Sequence, residues 1–160
     1  MRILANNFLV LVIFAIVAIV TIIIGLALSF LLEILIIRDT LHRILLYSMF
    51  PLGYLLHFML ARRFLSSTGN TVYDVSSFSV IIIITIVYLL LMKSFGFDMS
   101  GMMENPRSFF VSIVERLHIP SAYVGVAFGE KYNVNIEKLV FCISVMISLV
   151  MQYCGLFSKY

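Results

Sequence analysis

The chain has 160 residues, of which 62% are hydrophobic and 12% are charged, and its formal net charge at pH 7 is +3. Soluble domains carry about twice that fraction of charged residues. The composition therefore excludes an ordinary soluble domain and favours an integral membrane protein. The positive charge is small and scattered, so it gives little support to nucleic-acid binding.

Several apolar runs of 18 or more residues predict membrane-spanning helices. Lipid permits only segments that satisfy their own backbone hydrogen bonds, which again favours helices. We therefore predict an all-α membrane fold with four transmembrane helices in a single domain, residues 1–160. The predicted spans are residues 8–37, 44–61, 75–92 and 139–157, with an extramembrane loop over 93–138.

The first apolar run has no charged residue from Ile3 to Leu32. A signal peptide has an apolar core of only about 7–15 residues. This run is far longer, so we expect a retained first span. At 1.5 Å per residue, the span over 8–37 would reach about 45 Å, against a hydrocarbon core of about 30 Å. It must therefore tilt or project beyond the bilayer.

Two rows of small or polar residues predict close contacts between helices. Small residues at every fourth position let two helix backbones approach each other in a membrane. Both rows fit packing within one four-helix bundle, and both also fit a subunit interface in a homo-oligomer. The predicted seam residues are Thr21, Gly25 and Ser29 on the first helix, and Ser144, Ser148 and Gln152 on the fourth, where Gly155 extends the row.

Glu33 is the only charged residue in a predicted span, and Arg38 and Arg43 follow in the short connection after that span. Charged residues in a membrane are functional candidates because their burial is costly. We consider two roles for Glu33. One is a structural ion pair with Arg38 or Arg43 at the interface, and the other is a gate or coupling site for ions.

The long loop contains a segment that is apolar on one side only. Asn105 is a suitable N-cap, Pro106 a natural first helical residue, and Pro120 closes the segment. At 100° per residue the intervening residues form an amphipathic helix. Such a helix can lie in the membrane interface, cap its own bundle or dock a partner, and its scarcity of Lys and Arg favours capping or docking. Its apolar face consists of Phe109, Phe110, Ile113, Val114 and Leu117.

Four spans put both termini on one side of the membrane. Seven lysines and arginines then fall on the side of the long loop and four on the side of the termini. The positive-inside rule predicts a cytoplasmic loop with both termini outside, although the Arg62–Arg63 pair argues the other way.

Haem ligation by His57 would need a second histidine at matching depth in the membrane. His57 would lie near the face opposite His42 and His118, so we expect no haem.

No metal-binding spacing and no nucleophile with a neighbouring base is visible, so we expect no enzyme and no cofactor. The leading hypothesis is a membrane subunit that oligomerises and anchors, senses or assembles with a soluble or membrane protein partner through residues 93–138. Small subunits of this kind occur in bacterial defence and immunity systems, which suggests a bacterial inner membrane. The alternative is a small oligomeric ion channel or transporter.

Overall fold

A computed structural model describes residues 1–34, 39–91, 110, 113–114, 117–118 and 134–158, with the backbone only for residues 29, 32–34, 39–50 and 134–138. All regular secondary structure in these residues is helical. The helices are α1 (Arg2–Ile34), α2 (Asp39–Phe64), α3 (Thr71–Ser76), α4 (Ser79–Leu91) and α5 (Val134–Phe157).

Helix α1 begins at Arg2, six residues before the predicted start of the first span. Asparagine side chains often compete with helical backbone bonds, which makes them poor residues for a helix interior. Here the side-chain amide of Asn6 donates to Ser66, and that of Asn7 donates both to Ser76 and, within α1, to the carbonyl of Ile3. Both amides therefore have partners while the helix continues through the pair.

The third predicted span, residues 75–92, is not one continuous helix. Helix α3 ends at Ser76 and α4 begins at Ser79. The Asn70 side chain caps the start of α3 by accepting from the backbone N–H of Val72. At the other end, the N–H groups of Ser77 and Phe78 bond to carbonyls three residues back, those of Asp74 and Val75, and this tighter turn interrupts the predicted helix.

Helices α1, α2, α4 and α5 run up, down, up and down. Asn6 bonds to Ser66 and Phe14 contacts His57, so α1 and α2 are antiparallel. Helices α4 and α5 are antiparallel, because Phe78 contacts Tyr153 and Tyr88 contacts Phe141. Helix α5 runs parallel to α2, because Tyr54 bonds to Ser144 and His57 bonds to Gln152.

The bundle buries polar side chains and exposes large apolar ones. The polar side chains lie inside, beside a core of apolar residues from α1, α2, α4 and α5. The buried polar residues include Asn6, Thr21, His57, Thr85, Ser144, Ser148 and Gln152. The outward faces of the long helices carry exposed Ile, Leu, Met, Val and Phe side chains, including Ile23, Phe30, Met59, Ile83, Leu90, Met146 and Val150.

Two helical stretches in the described part of the chain are long and apolar enough to cross a membrane, judged by length and composition. They are Arg2–Leu28 and Leu139–Phe157, and Ser79–Leu91 is a shorter apolar helix. The first stretch overlaps the predicted span over 8–37 but begins six residues earlier, and the second coincides with the predicted span over 139–157.

Candidate functional site: a polar cluster inside the bundle

Two histidine rings contact one phenylalanine in the centre of the bundle. The ring centroid of Phe14 lies 4.5 Å from that of His57 and 4.8 Å from that of His118. Phe141 contacts His118 edge-on, at 5.6 Å between centroids. We call His57, Thr85, His118 and Gln152, the polar residues around Phe14, the interior polar cluster.

This arrangement corrects the expected positions of the two histidines. From the sequence, His118 belongs to the long loop and should lie across the membrane from His57. In the structure Val114 and His118 are each only 1% exposed, because this part of the loop packs into the bundle. No periodicity in the sequence indicates that a loop histidine reaches the interior.

His57 is joined to α5 by a buried hydrogen bond. The Nε2 of Gln152 lies 2.8 Å from the Nδ1 of His57. An amide nitrogen can only donate, so His57 Nδ1 accepts, and the proton of a neutral His57 imidazole is on Nε2. Gln152 therefore finds its partner across a helix contact within the chain.

His118 is joined to α4 through Thr85. The Thr85 Oγ1 lies 2.8 Å from the carbonyl oxygen of Ile81 and 3.3 Å from the Nε2 of His118. The backbone N–H of Thr85 already bonds to this carbonyl within α4, so the hydroxyl hydrogen is free to point to either acceptor. The tautomer of His118 sets the direction of the Thr85–His118 bond, and in either direction the bond joins His118 to α4.

The seam residues of α5 lie against α2. The hydroxyls of Ser144 and Tyr54 are 2.6 Å apart, and Ser148 donates to the carbonyl of Ser144 at 3.2 Å. One turn after Gln152, a Cβ added to Gly155 would collide with the carbonyl oxygen of Phe58. Gly155 thus permits a backbone approach between α2 and α5 that a side chain would block.

The small residues of α1 make no such approach in the described structure. Thr21 is buried, and its hydroxyl donates to the carbonyls of Val17 and Ala18 in its own helix. A Cβ added to Gly25 would find nothing within 4 Å. The Ser29 side chain lies outside the described residues. An interface between subunits along this row stays a prediction.

The predicted loop helix is described at four positions of its apolar face. Val114 is in the core, and Phe110 and Leu117 pack against the core, whereas Ile113 is 40% exposed. Phe109 lies outside the described residues. In this arrangement the segment covers its own bundle, and Ile113 is the described member of the apolar face that points outward.

The possible gating residues fall outside the described side chains. Only the backbone of Glu33 and Arg43 is described, and Arg38 is not described. An ion pair or a gate at these positions therefore stays a prediction.

Sequence reasoning missed a polar junction at the end of the bundle where α1 begins. Asn6 Nδ2 donates to the carbonyl of Ser66 at 2.8 Å and lies 3.2 Å from Ser77 Oγ, and Asn7 Oδ1 accepts from the N–H of Val80 at 3.0 Å. The feature of the sequence that could have indicated this junction is the pair of adjacent asparagines at the start of a long apolar run. The two asparagine side chains hold the α2–α3 and α3–α4 connections against α1.

Asp74 organises the neighbouring loop. Its carboxylate accepts from the Ser67 hydroxyl at 2.6 Å, the Thr68 N–H at 2.7 Å and the Thr68 hydroxyl at 2.8 Å. The loop turns at Gly69, whose φ of 79° is in the left-handed region that favours glycine. Asp74 is therefore a structural residue that keeps the α2–α3 loop closed.

We expect Asp74 to make the protein sensitive to acid. Burial would raise the pKa of this carboxyl, but the hydrogen bonds from Ser67 and Thr68 outweigh burial and hold the pKa below its ordinary value of 3.8. The stabilisation is therefore complete above that pH and is lost as the pH falls through the folded-state pKa. Thermal unfolding of wild type and D74N at about pH 6 and about pH 3 checks this. The wild-type advantage should shrink at the lower pH, and an equal advantage at both pH values would contradict it.

Comparison with protein-family models, curated proteins and solved structures finds no match to this chain. Its function is therefore inferred from the geometry of its own residues.

Proposed function

We propose that the protein is a four-pass integral membrane protein whose helical bundle lies in the bilayer. The carrying observation is the distribution of side chains, with large apolar residues outward and polar residues inward. Monomeric soluble proteins rarely expose contiguous apolar patches larger than a few hundred Å². Lipid removes that penalty and favours polar contacts between helices. The up-down-up-down order of α1, α2, α4 and α5 fits four spans.

Within that membrane protein, the function we propose is a non-enzymatic subunit that oligomerises and anchors, senses or assembles with a partner protein. The partner would bind on the side of residues 93–138. Support comes from Ile113, which is exposed while the next residue, Val114, is buried. A segment held so firmly on its own bundle can present a fixed outer surface. We place the protein in a bacterial inner membrane, with the loop in the cytoplasm and both termini outside.

The test is native mass spectrometry of the C-terminally tagged chain, purified from its own cell in mild detergent. We expect a homo-oligomer that carries a second protein in fixed stoichiometry. I113R should lose the second protein but keep the oligomer and membrane insertion, because Ile113 is outside the core. V72R is the matched control, since Val72 on α3 is 70% exposed and lies outside the predicted 93–138 loop.

A homo-oligomer with nothing else bound would contradict the partner function. It would favour the second candidate, a small oligomeric ion channel or transporter. One observation supports that candidate. The polar side chains of α2, α4 and α5 converge inside the bundle, from Tyr54 and Ser144 to the interior polar cluster.

A further inference from the structure

The short helix α3 turns apolar side chains outward at the end of the bundle where α1 begins. Val72, Tyr73 and Val75 are exposed, whereas Asp74 on the other side of the helix is buried. Contact of apolar side chains with water is unfavourable, and the free energy falls when another apolar surface covers them. The candidates for that cover are lipid, a second copy of the chain and a protein partner.

The outward side of α3 continues in phase with the outward side of α4. Residues three and four apart share one face of a helix, and this spacing is kept across the break at Ser77. The exposed row is Val72, Val75, Ser79, Ile82, Ile86 and Leu90. The buried row on the opposite face is Asp74, Ser77, Ile81, Thr85 and Tyr88. Helix α3 therefore faces the same surroundings as the apolar face of α4, which the proposed function places in lipid.

The lengths of the two helices place α3 at the edge of the hydrocarbon. Helix α4 (Ser79–Leu91) rises about 20 Å, which is short of the hydrocarbon core of about 30 Å. Including α3, the segment from Thr71 to Leu91 rises about 30 Å. The Asp74 carboxylate also suits this edge, because a charge at the bilayer centre is costly.

The end of α2 brings positive charge to the same level. One atom, Asn6 Nδ2, lies 2.8 Å from the carbonyl oxygen of Ser66 and 3.2 Å from Ser77 Oγ, so the residues after α2 and after α3 are adjacent. The last turn of α2 carries two exposed arginines, and arginines near helix ends reach the headgroups. The charged side chains that the structure describes at this end are Arg2, Arg62, Arg63 and Asp74.

Positive charge next to an apolar surface at this depth complements an anionic phospholipid, whose phosphate lies above its acyl chains. We propose that α3 and the last turn of α2 form an interfacial anchor for anionic phospholipids. Val72 and Val75 lie at the boundary of headgroups and acyl chains, and the arginines of α2 bind lipid phosphates. The binding depends on the charge of the leaflet that this end contacts, whichever side of the membrane it faces.

The anchor rests on the proposed function for its position in the bilayer, but it needs no partner protein. An arginine at position 72 would also suit an anionic headgroup layer. V72R therefore remains a valid control in the partner experiment.

The depth of α3 is tested by fluorescence quenching, because the sequence contains no tryptophan and V72W introduces a single one. The full chain is reconstituted in vesicles of phosphatidylcholine and phosphatidylglycerol that carry bromine at a shallow or a deep position of the acyl chain. We expect shallow bromines to quench V72W most. I83W, about 16 Å further along α4, should be quenched most by deep bromines. V75W probes the same face as V72W if that variant does not insert.

The headgroup preference is tested in the V72W background. At equal mole fraction, brominated phosphatidylglycerol, which is anionic, should quench more strongly than brominated phosphatidylcholine. R62Q should weaken this preference about fivefold, the contribution of one basic residue near a charged surface. R43Q is the matched control, since it removes the same charge near the opposite end of α2 and should leave the preference unchanged.

Quenching of I83W without quenching of V72W would overturn the anchor and leave the membrane position of the bundle intact. That result is expected if a second copy or a protein partner covers α3 and excludes lipid. Equal quenching of V72W by the two lipids, or stronger quenching by deep bromines, would also overturn the anchor. If I83W is not quenched, the membrane position itself is wrong.

Discussion

Replacement of Gly155 by alanine is expected to destabilise the protein by about 1–3 kcal/mol, the usual range for overpacking. The added Cβ would collide with the Phe58 carbonyl oxygen and lie 3.0 Å from the Arg62 backbone nitrogen and 3.1 Å from the Ala61 Cβ. Two of these three atoms are backbone, so no change of rotamer relieves the contact, and α2 and α5 must move apart. SDS-induced unfolding in mixed micelles measures the loss.

The matched control is G25A on α1. Because nothing lies within 4 Å of the added Cβ, this variant is expected to be neutral or to gain up to about 0.5–1 kcal/mol from helix propensity. Equal destabilisation of both variants would contradict the α2–α5 contact at Gly155. A change of subunit number in G25A alone would identify the small-residue row of α1 as a subunit interface.

The second large effect is expected at the hydrogen bond between His57 and Gln152. Both side chains are buried, so removal of one partner leaves the other unpaired at a cost of about 1–3 kcal/mol. Measured interhelical hydrogen bonds in membranes contribute about 0.6 kcal/mol on average and up to about 1.7. H57L and Q152L should therefore each destabilise the bundle, and the double variant should lose less than their sum by about that amount.

The coupling is read from SDS-induced unfolding of the two single variants and the double variant. T21A provides the control, since the Thr21 hydroxyl bonds only within its own helix. It should show no coupling to H57L. Strict additivity between H57L and Q152L would mean that the bond contributes nothing to stability.

The sequence by itself determined the helical class of the described chain and located the two helical stretches that are long and apolar enough to cross a membrane. Hydropathy and helical periodicity are local properties, and α1 and α5 follow from long runs of apolar residues. The α5 row from Ser144 to Gly155 was also visible, because residues three and four apart share one face of a helix. The local sequence does not determine which helix such a face packs against. In the structure, the Ser144–Gly155 face of α5 packs against α2.

Tertiary structure alone decided the rest of the site. Asn6 and Asn7 look like poor helix residues until Ser66 and Ser76 satisfy their amides. The break at Ser77 depends on local hydrogen bonds, and the mean hydropathy of residues 75–92 contains no information about them. His118 reaches Thr85, 33 residues away in the sequence, because the loop packs into the bundle. Contacts between residues so far apart depend on how whole segments pack, and a single sequence carries no periodic signal for them.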